Sequence, residues 1–162
     1  MNYSKIRQLD IANGIGCRVS IFVSGCEHRC KNCFNPETWN FKYGKEFTKQ
    51  TMELIVELAK PDYISGISIL GGEPMHPKNR EEVIKLIRSF KEAYPNKTVW
   101  LWTGYLIEDI FEDLIDSGID VIVDGKFIEE LKDLRLKYRG SSNQRVIDLK
   151  ETTKTGNIVL YE

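Results

Sequence analysis

The chain has no long apolar run. Its N-terminal stretch, MNYSKIRQLDIANG from Met1 to Gly14, carries charged and polar residues throughout, and no window approaches the length of a membrane span. That argues against a membrane protein and sets the expectation of a cytoplasmic one. An excess of either charge is also missing. The 23 Lys and Arg against 24 Asp and Glu leave a formal net charge of −1, spread along the chain. No basic stripe suits a nucleic acid, and no polybasic patch suits a membrane surface. With 12 Gly and 5 Pro in 162 residues, collagen-like and low-complexity readings fail. Repeats and linkers are absent, so the expectation is one domain, 1–162, large enough to bury a core without staples. Cysteine is scarce as well: only four are present, and three of them fall within eight residues. So tight a cluster cannot staple a fold, and a reducing compartment disfavours disulfides. Metal or redox chemistry remains.

What is present is an alternation of β-rich runs and helix-period segments. CRVSIFVSG (17–25), GISILGGEP (66–74), KTVWLWTGY (97–105) and IDVIVDGKF (119–127) read as strands running into turns. RVIDLK (145–150) reads as one more, and NIVLYE (157–162) as a last edge strand. TKQTMELIVELAKP (48–61) predicts a helix with Thr48 as N-cap and Met52, Ile55, Val56 and Ala59 on one face. PKNREEVIKLIRSFKEAYP predicts a second helix with Val83, Leu86, Ile87 and Phe90 on its stripe, and LIEDIFEDLIDSG a third, closed by Gly118. Strand–helix alternation with nearly continuous apolar strands predicts an α/β fold with a parallel sheet covered by outer helices. The units are too few for a full eightfold barrel of ~200 residues or more, so the expected architecture is a partial, open β/α barrel.

The cysteine cluster, GGEP, TGY and DGKF each begin where a predicted strand ends. In parallel α/β folds the carboxyl ends of the strands are where ligands sit, so these four stretches are expected to converge on one rim.

Cys26, Cys30 and Cys33 form C-x3-C-x2-C within SGCEHRCKNCFNP (24–36). Thiolates select zinc, copper(I) or iron–sulfur centres. Structural zinc wants a fourth ligand and paired knuckles, but Cys17 lies within a predicted strand and His28 is cramped between two of the cysteines. A [4Fe-4S] cluster held by three cysteines instead keeps one iron open for chemistry. A zinc-binding adaptor is the alternative reading.

The spacing matches the signature of the radical S-adenosylmethionine (SAM) superfamily. More specifically, NGIGCRVSIFVSGCEHRCKNCFNPETW, GISILGGEPMHP, VWLWTGY, VIVDGKF and YRGSSNQRVIDL resemble, in the same order, blocks of the anaerobic ribonucleoside-triphosphate reductase-activating proteins. The resemblance implies a glycyl-radical enzyme activase and radical SAM oxidoreductase. The [4Fe-4S] cluster on Cys26, Cys30 and Cys33 reductively cleaves S-adenosyl-L-methionine, and the 5′-deoxyadenosyl radical takes a hydrogen from a glycine of the reductase. It implies the large catalytic subunit of that reductase as partner and a flavodoxin-type electron donor. A radical SAM activase for another glycyl-radical enzyme, or one acting on a small molecule, shares the cluster but has no need of RGSSNQR. Asn32 stands before Cys33, where the superfamily usually has an aromatic, and Phe34 stands just after. Which of them meets the adenine is left open, with backbone from Asn32 to Phe34 expected to take part.

Within this scheme Gly71 and Gly72 allow close backbone approach to SAM, and Glu73 can accept from the ligand's ammonium group. The plain alternative is a strand–helix turn. Asp124 and Lys126, two apart at a strand end, are expected on one face. Lys126 would then meet the SAM carboxylate and Asp124 a cation or ribose hydroxyl; a solvated turn is the alternative. Thr103 is a further ribose candidate. Arg139 to Arg145, RGSSNQR, could close over SAM or meet the reductase. Cys17 reads as a small buried hydrophobe, His28 and His76 as loop or supporting residues, and Trp100 and Trp102 as core.

Overall fold

A computed structural model describes residues 1–161. Seven strands and four α-helices follow one another along the chain. β1 is Asn2–Asp10, β2 Cys17–Val23, β3 Lys45–Glu46, α1 Lys49–Leu58, β4 Ile64–Gly71 and α2 Arg80–Ala93. Then come β5 Thr98–Trp102, α3 Ile107–Leu114, β6 Val121–Asp124, β7 Arg145–Asp148 and α4 Leu149–Thr155. One sheet has the order β3-β1-β2-β4-β5-β6-β7. Its four central strands, β2, β4, β5 and β6, are parallel, whereas β1 pairs antiparallel with β2 and β7 antiparallel with β6. β3 and β7 lie at opposite edges, so the sheet does not close. The all-parallel expectation therefore holds only for the centre. The 11–16 connection between β1 and β2 is too short for a crossover. The longer 125–144 segment holds only the single 3-10 turn Glu129–Leu131 in place of a crossover α-helix, so both outer strands return antiparallel.

The parallel strands feed helices onto one face. Val19, Ile21 and Val23 of β2, Ile67 and Ile69 of β4, and Val99 and Leu101 of β5 point to that face. They meet Ile55 of α1, Val83, Leu86, Ile87 and Phe90 of α2, and Ile107, Ile110 and Leu114 of α3 in a single apolar core. α1 starts where expected: Thr48 Oγ1 accepts from Thr51 N–H, and Thr51 Oγ1 accepts from Thr48 N–H. The alternate strand residues face the other way, away from α1, α2 and α3. There Trp100 is enclosed by Trp102, Tyr138 and Tyr161, with ring centroids 5.9, 5.0 and 5.3 Å away. The C-terminal stretch read as an edge strand contributes only an isolated bridge between Leu160 and Ile147; Glu162 lies outside the described residues.

Among the described residues no helix is long and apolar enough to cross a membrane.

Candidate functional site

A cavity of about 630 Å³ opens on the face away from α1, α2 and α3, at the carboxyl ends of the parallel strands. Cys26, Cys30 and Cys33 line it together with Gly71, Gly72, Glu73 and Thr103, and so does the edge of the 125–144 segment through Gly125, Gly140 and Gln144. The predicted convergence on one rim is thus realised in space. All the cysteines are free thiols. Burial pushes the Cys26 thiol up to about 11, and it raises Cys30 as well, against the lowering influence of the Phe127 backbone and the Lys126 charge. Asn35 N–H donates to Cys33 Sγ at 3.4 Å. No three His, Cys, Asp or Glu side chains among the described residues converge on a single ion.

The backbone explains how the cysteine loop stays against the sheet. Gly72 N–H donates to Val23 O and Glu73 N–H to Gly25 O, both at 2.8 Å, so the ends of β2 and β4 run on side by side past their last paired residues. A Cβ on Gly72 would lie 2.8 Å from the carbonyl oxygens of Gly25 and Thr38, and Gly71 has φ +114°. Both positions need glycine. Asn79, at the start of α2, makes no cap. Its Nδ2 donates instead to Ser24 O and Glu73 O, at 3.0 Å each, tying the two segments together.

Glu73 is buried, and four donors occupy its carboxylate. Oε2 accepts from Met75 N–H and Thr103 Oγ1 at 2.8 Å each; Oε1 accepts from Gly104 N–H at 2.6 Å and from His28 Nε2 at 2.7 Å. Thr103 is likewise buried and committed to this network.

Asp124 and Lys126 do not share a face. Gly125 takes φ +98°, ending β6 and breaking the alternation on which that expectation rested. Asp124 is fully buried on the helix side, where it accepts from Ile107 N–H at 2.9 Å and from the Arg145 guanidinium at 2.9 Å. Lys126 is exposed and outside the cavity lining, as is Asn32. The cations that line the cavity are Lys5, Arg7 and Arg139. Lys5 and Arg7 lie over the Phe22 ring, with Lys5 Nζ 4.6 Å from its centroid and Arg7 Cζ 5.4 Å. Sequence reasoning passed over both, and no signal marked them, because Asn2–Asp10 carries no β-rich run.

RGSSNQR is folded onto itself and onto the turn after β6. Gln144 Oε1 accepts from Gly140 and Ser141 N–H, Gln144 Nε2 donates to Gly125 O, and Asn143 Nδ2 donates to Lys126 O. Phe34, 58% exposed, leans on Phe127 with centroids 5.0 Å apart; a Cβ on Gly140 would come within 3.0–3.1 Å of both rings. Phe127 went unassigned in the sequence although it lies in DGKF. The indole N–H of Trp39, also at the cavity, has no partner among the described residues. Such a donor is one that a polar ligand can satisfy.

Comparison with known proteins agrees with this gathering of cysteines. Residues 12–147 match the family model described as a 4Fe-4S single cluster domain. The chain is 44% identical over 146 residues to the anaerobic ribonucleoside-triphosphate reductase-activating protein of Enterobacteria phage T4, covering 90% of this chain and 93% of that protein. It is 42% identical to the Vibrio cholerae protein of the same name, over 89% and 96% of the two chains. To the Escherichia coli K12 protein it is 41% identical, over 93% of this chain and all of the other.

Proposed function

The chain belongs to the anaerobic ribonucleoside-triphosphate reductase-activating proteins, built on a 4Fe-4S single cluster domain, and from that premise we propose that it is a radical SAM activase. Its reaction is the installation of a glycyl radical in the large subunit of the anaerobic reductase, performed by one radical SAM domain spanning 1–162. The observation that carries this reading is the single cavity in which three free thiols face the glycine-rich end of β4.

The donor set fits an iron–sulfur cluster. Three soft thiol ligands line one cavity, a donor set that suits three corners of a cubane with its fourth iron left open. Cys26, Cys30 and Cys33 would hold it. When bound, the cluster would supply the electron for reductive cleavage of S-adenosyl-L-methionine at its S–C5′ bond, the chemistry from which the glycyl radical would be made.

The chain's own residues do the rest. Gly71 and Gly72 leave backbone bare for the methionyl end of SAM to approach. Lys5 and Arg7 stand at the cavity as counter-charges for its carboxylate; Lys126, outside, biases Cys30 toward thiolate. Backbone from Asn32 to Phe34, with the Phe34 and Phe127 rings, flanks the adenine. Glu73 and Thr103 order the strand ends, and Asp124 secures the start of α3. Apolar walls from Phe22, Leu70 and Trp102 keep water from the reacting centre. A flavodoxin-type protein serves as reductant.

Electron paramagnetic resonance of the large reductase subunit tests the proposal, after anaerobic incubation with the iron-loaded protein, SAM and a reductant. A glycyl doublet is expected. An iron-loaded protein that releases deoxyadenosine yet leaves the reductase silent would point to another substrate, and zinc at unit stoichiometry without iron would end the reading altogether.

A further inference from the structure

His28 lines the cavity between Cys26 and Cys30, and neither ligand binding nor hydrogen transfer has a task for it. Its side chain is only 10% exposed, and its Nε2 donates to Glu73 Oε1 at 2.7 Å. The ring stands edge-on to Tyr105 with centroids 4.7 Å apart. A Cβ on Gly104 would lie 2.5 Å from the ring, so the turn after β5 is shaped around it. This side-chain hydrogen bond ties 28–33 to the ends of β4 and β5.

The loop needs such a tie. Arg29, just before Cys30, and Asn32, just before Cys33, have φ +56° and +55°. Non-glycine residues adopt that left-handed region at a cost and persist there when their surroundings hold them. Glu73 is itself held by Met75, Thr103 and Gly104, so its carboxylate joins the ends of β4 and β5 into one rigid acceptor.

We infer that His28 is a positioning residue, a brace that sets the cysteine loop at a fixed distance from the SAM-binding strand ends. Without it three thiols still hold a cluster, but the cluster is no longer registered against the site for the sulfonium ligand. This inference rests on the SAM reading above.

The test uses His28→Ala and His28→Gln in the full chain, the glutamine keeping a donor for Glu73. The EPR signal of the reduced cluster is titrated with SAM. His28→Ala is expected to keep iron within twofold of the wild type while its apparent Kd for SAM rises at least tenfold. His28→Gln recovers to within about threefold. In metal-free protein, amide exchange at Gly104 should accelerate at least tenfold in His28→Ala and little in His28→Gln. A SAM titration identical to wild type in His28→Ala overturns the brace, and so does loss of iron in both variants, which would make the ring a ligand. If His28→Ala fails to fold, His28→Gln decides: a Kd raised tenfold or more there overturns the inference. A wild-type iron protein whose signal ignores SAM refutes the SAM reading instead, and the exchange measurement alone then judges the brace.

Discussion

The two faces of the sheet are built on different principles. On the helix face, Val19, Ile21, Ile67, Ile69, Val99 and Leu101 are at most 1% exposed and pack into one apolar cluster. Their stabilisation scales with area and volume. On the cavity face the same strands carry Arg18, Ser20 and Ser68, equally buried but held by hydrogen bonds. Arg18 donates to Ser68 Oγ, Thr98 Oγ1 and the carbonyls of Ile15, Ile67 and Thr98, and among the described residues no carboxylate pairs with it. Burial lowers its pKa to about 10, with the charge of Asp120 countering in part. One face provides stability that tolerates apolar exchange; the other provides geometry, which tolerates little. The candidate chemistry lies wholly on the second.

The largest effect that would break this division is on the cysteine loop. Cys30→Ala is expected to abolish iron binding at the three-thiol site and with it all deoxyadenosine formation, followed by iron analysis and chromatography. The metal-free chain should unfold in urea within about 1 kcal/mol of the wild type, because the half-buried thiol lies outside the apolar core. Deoxyadenosine production that survives in Cys30→Ala sinks the cluster assignment.

The converse change is Leu86→Ala on the helix face. Leu86 is fully buried in the core, and its truncation should cost about 2–5 kcal/mol in urea unfolding. Iron per folded chain should stay at the wild-type level. A fall in iron beyond the fraction unfolded would show that the faces are not independent.

The same division governs what was legible in the sequence. The helix face announced itself: apolar periodicity gave α1, α2 and α3, and the β-rich runs gave the parallel strands, because burial writes its period into the residues. β1 was illegible, since Lys5, Arg7, Gln8 and Leu9 are exposed on a strand covered by β3 only at Asn2 and Tyr3. With β1 went Lys5 and Arg7. The two residues of β3 are too short for any pattern, and α4, LKETTKT, is mostly polar. At the rim, chemistry-bearing types in unusual spacing marked Cys26, Cys30, Cys33 and Gly71 to Glu73. The pairing of Glu73 with His28, 45 residues away, is purely tertiary and left no local trace. Asp124 was misplaced by a local rule that Gly125 suspends.

The smallest expected effect sharpens the comparison through pH. Asp10, at the far end of β1, is only 2% exposed on the cavity face. Burial by itself would raise its carboxyl. Hydrogen bonds from Ser20 Oγ, Asn13 Nδ2 and Ala12 N–H, with the charge of Arg7, outweigh that and hold it below the usual range. A carboxyl whose folded pKa lies below its unfolded value of about 3.9 binds fewer protons folded than unfolded in the interval between them. Its stabilisation is therefore complete above about pH 4 and disappears as pH falls through the folded value. Asp10→Asn removes the titration and puts a donor where acceptors are needed. The variant should be less stable than the wild type at pH 7, with the gap closing below about pH 4, read as urea midpoints across the range. The deficit of Leu86→Ala, which involves no charge, should stay constant over the same interval. An Asp10→Asn deficit as flat as that of Leu86→Ala would mean that the cavity face, too, is held by packing alone.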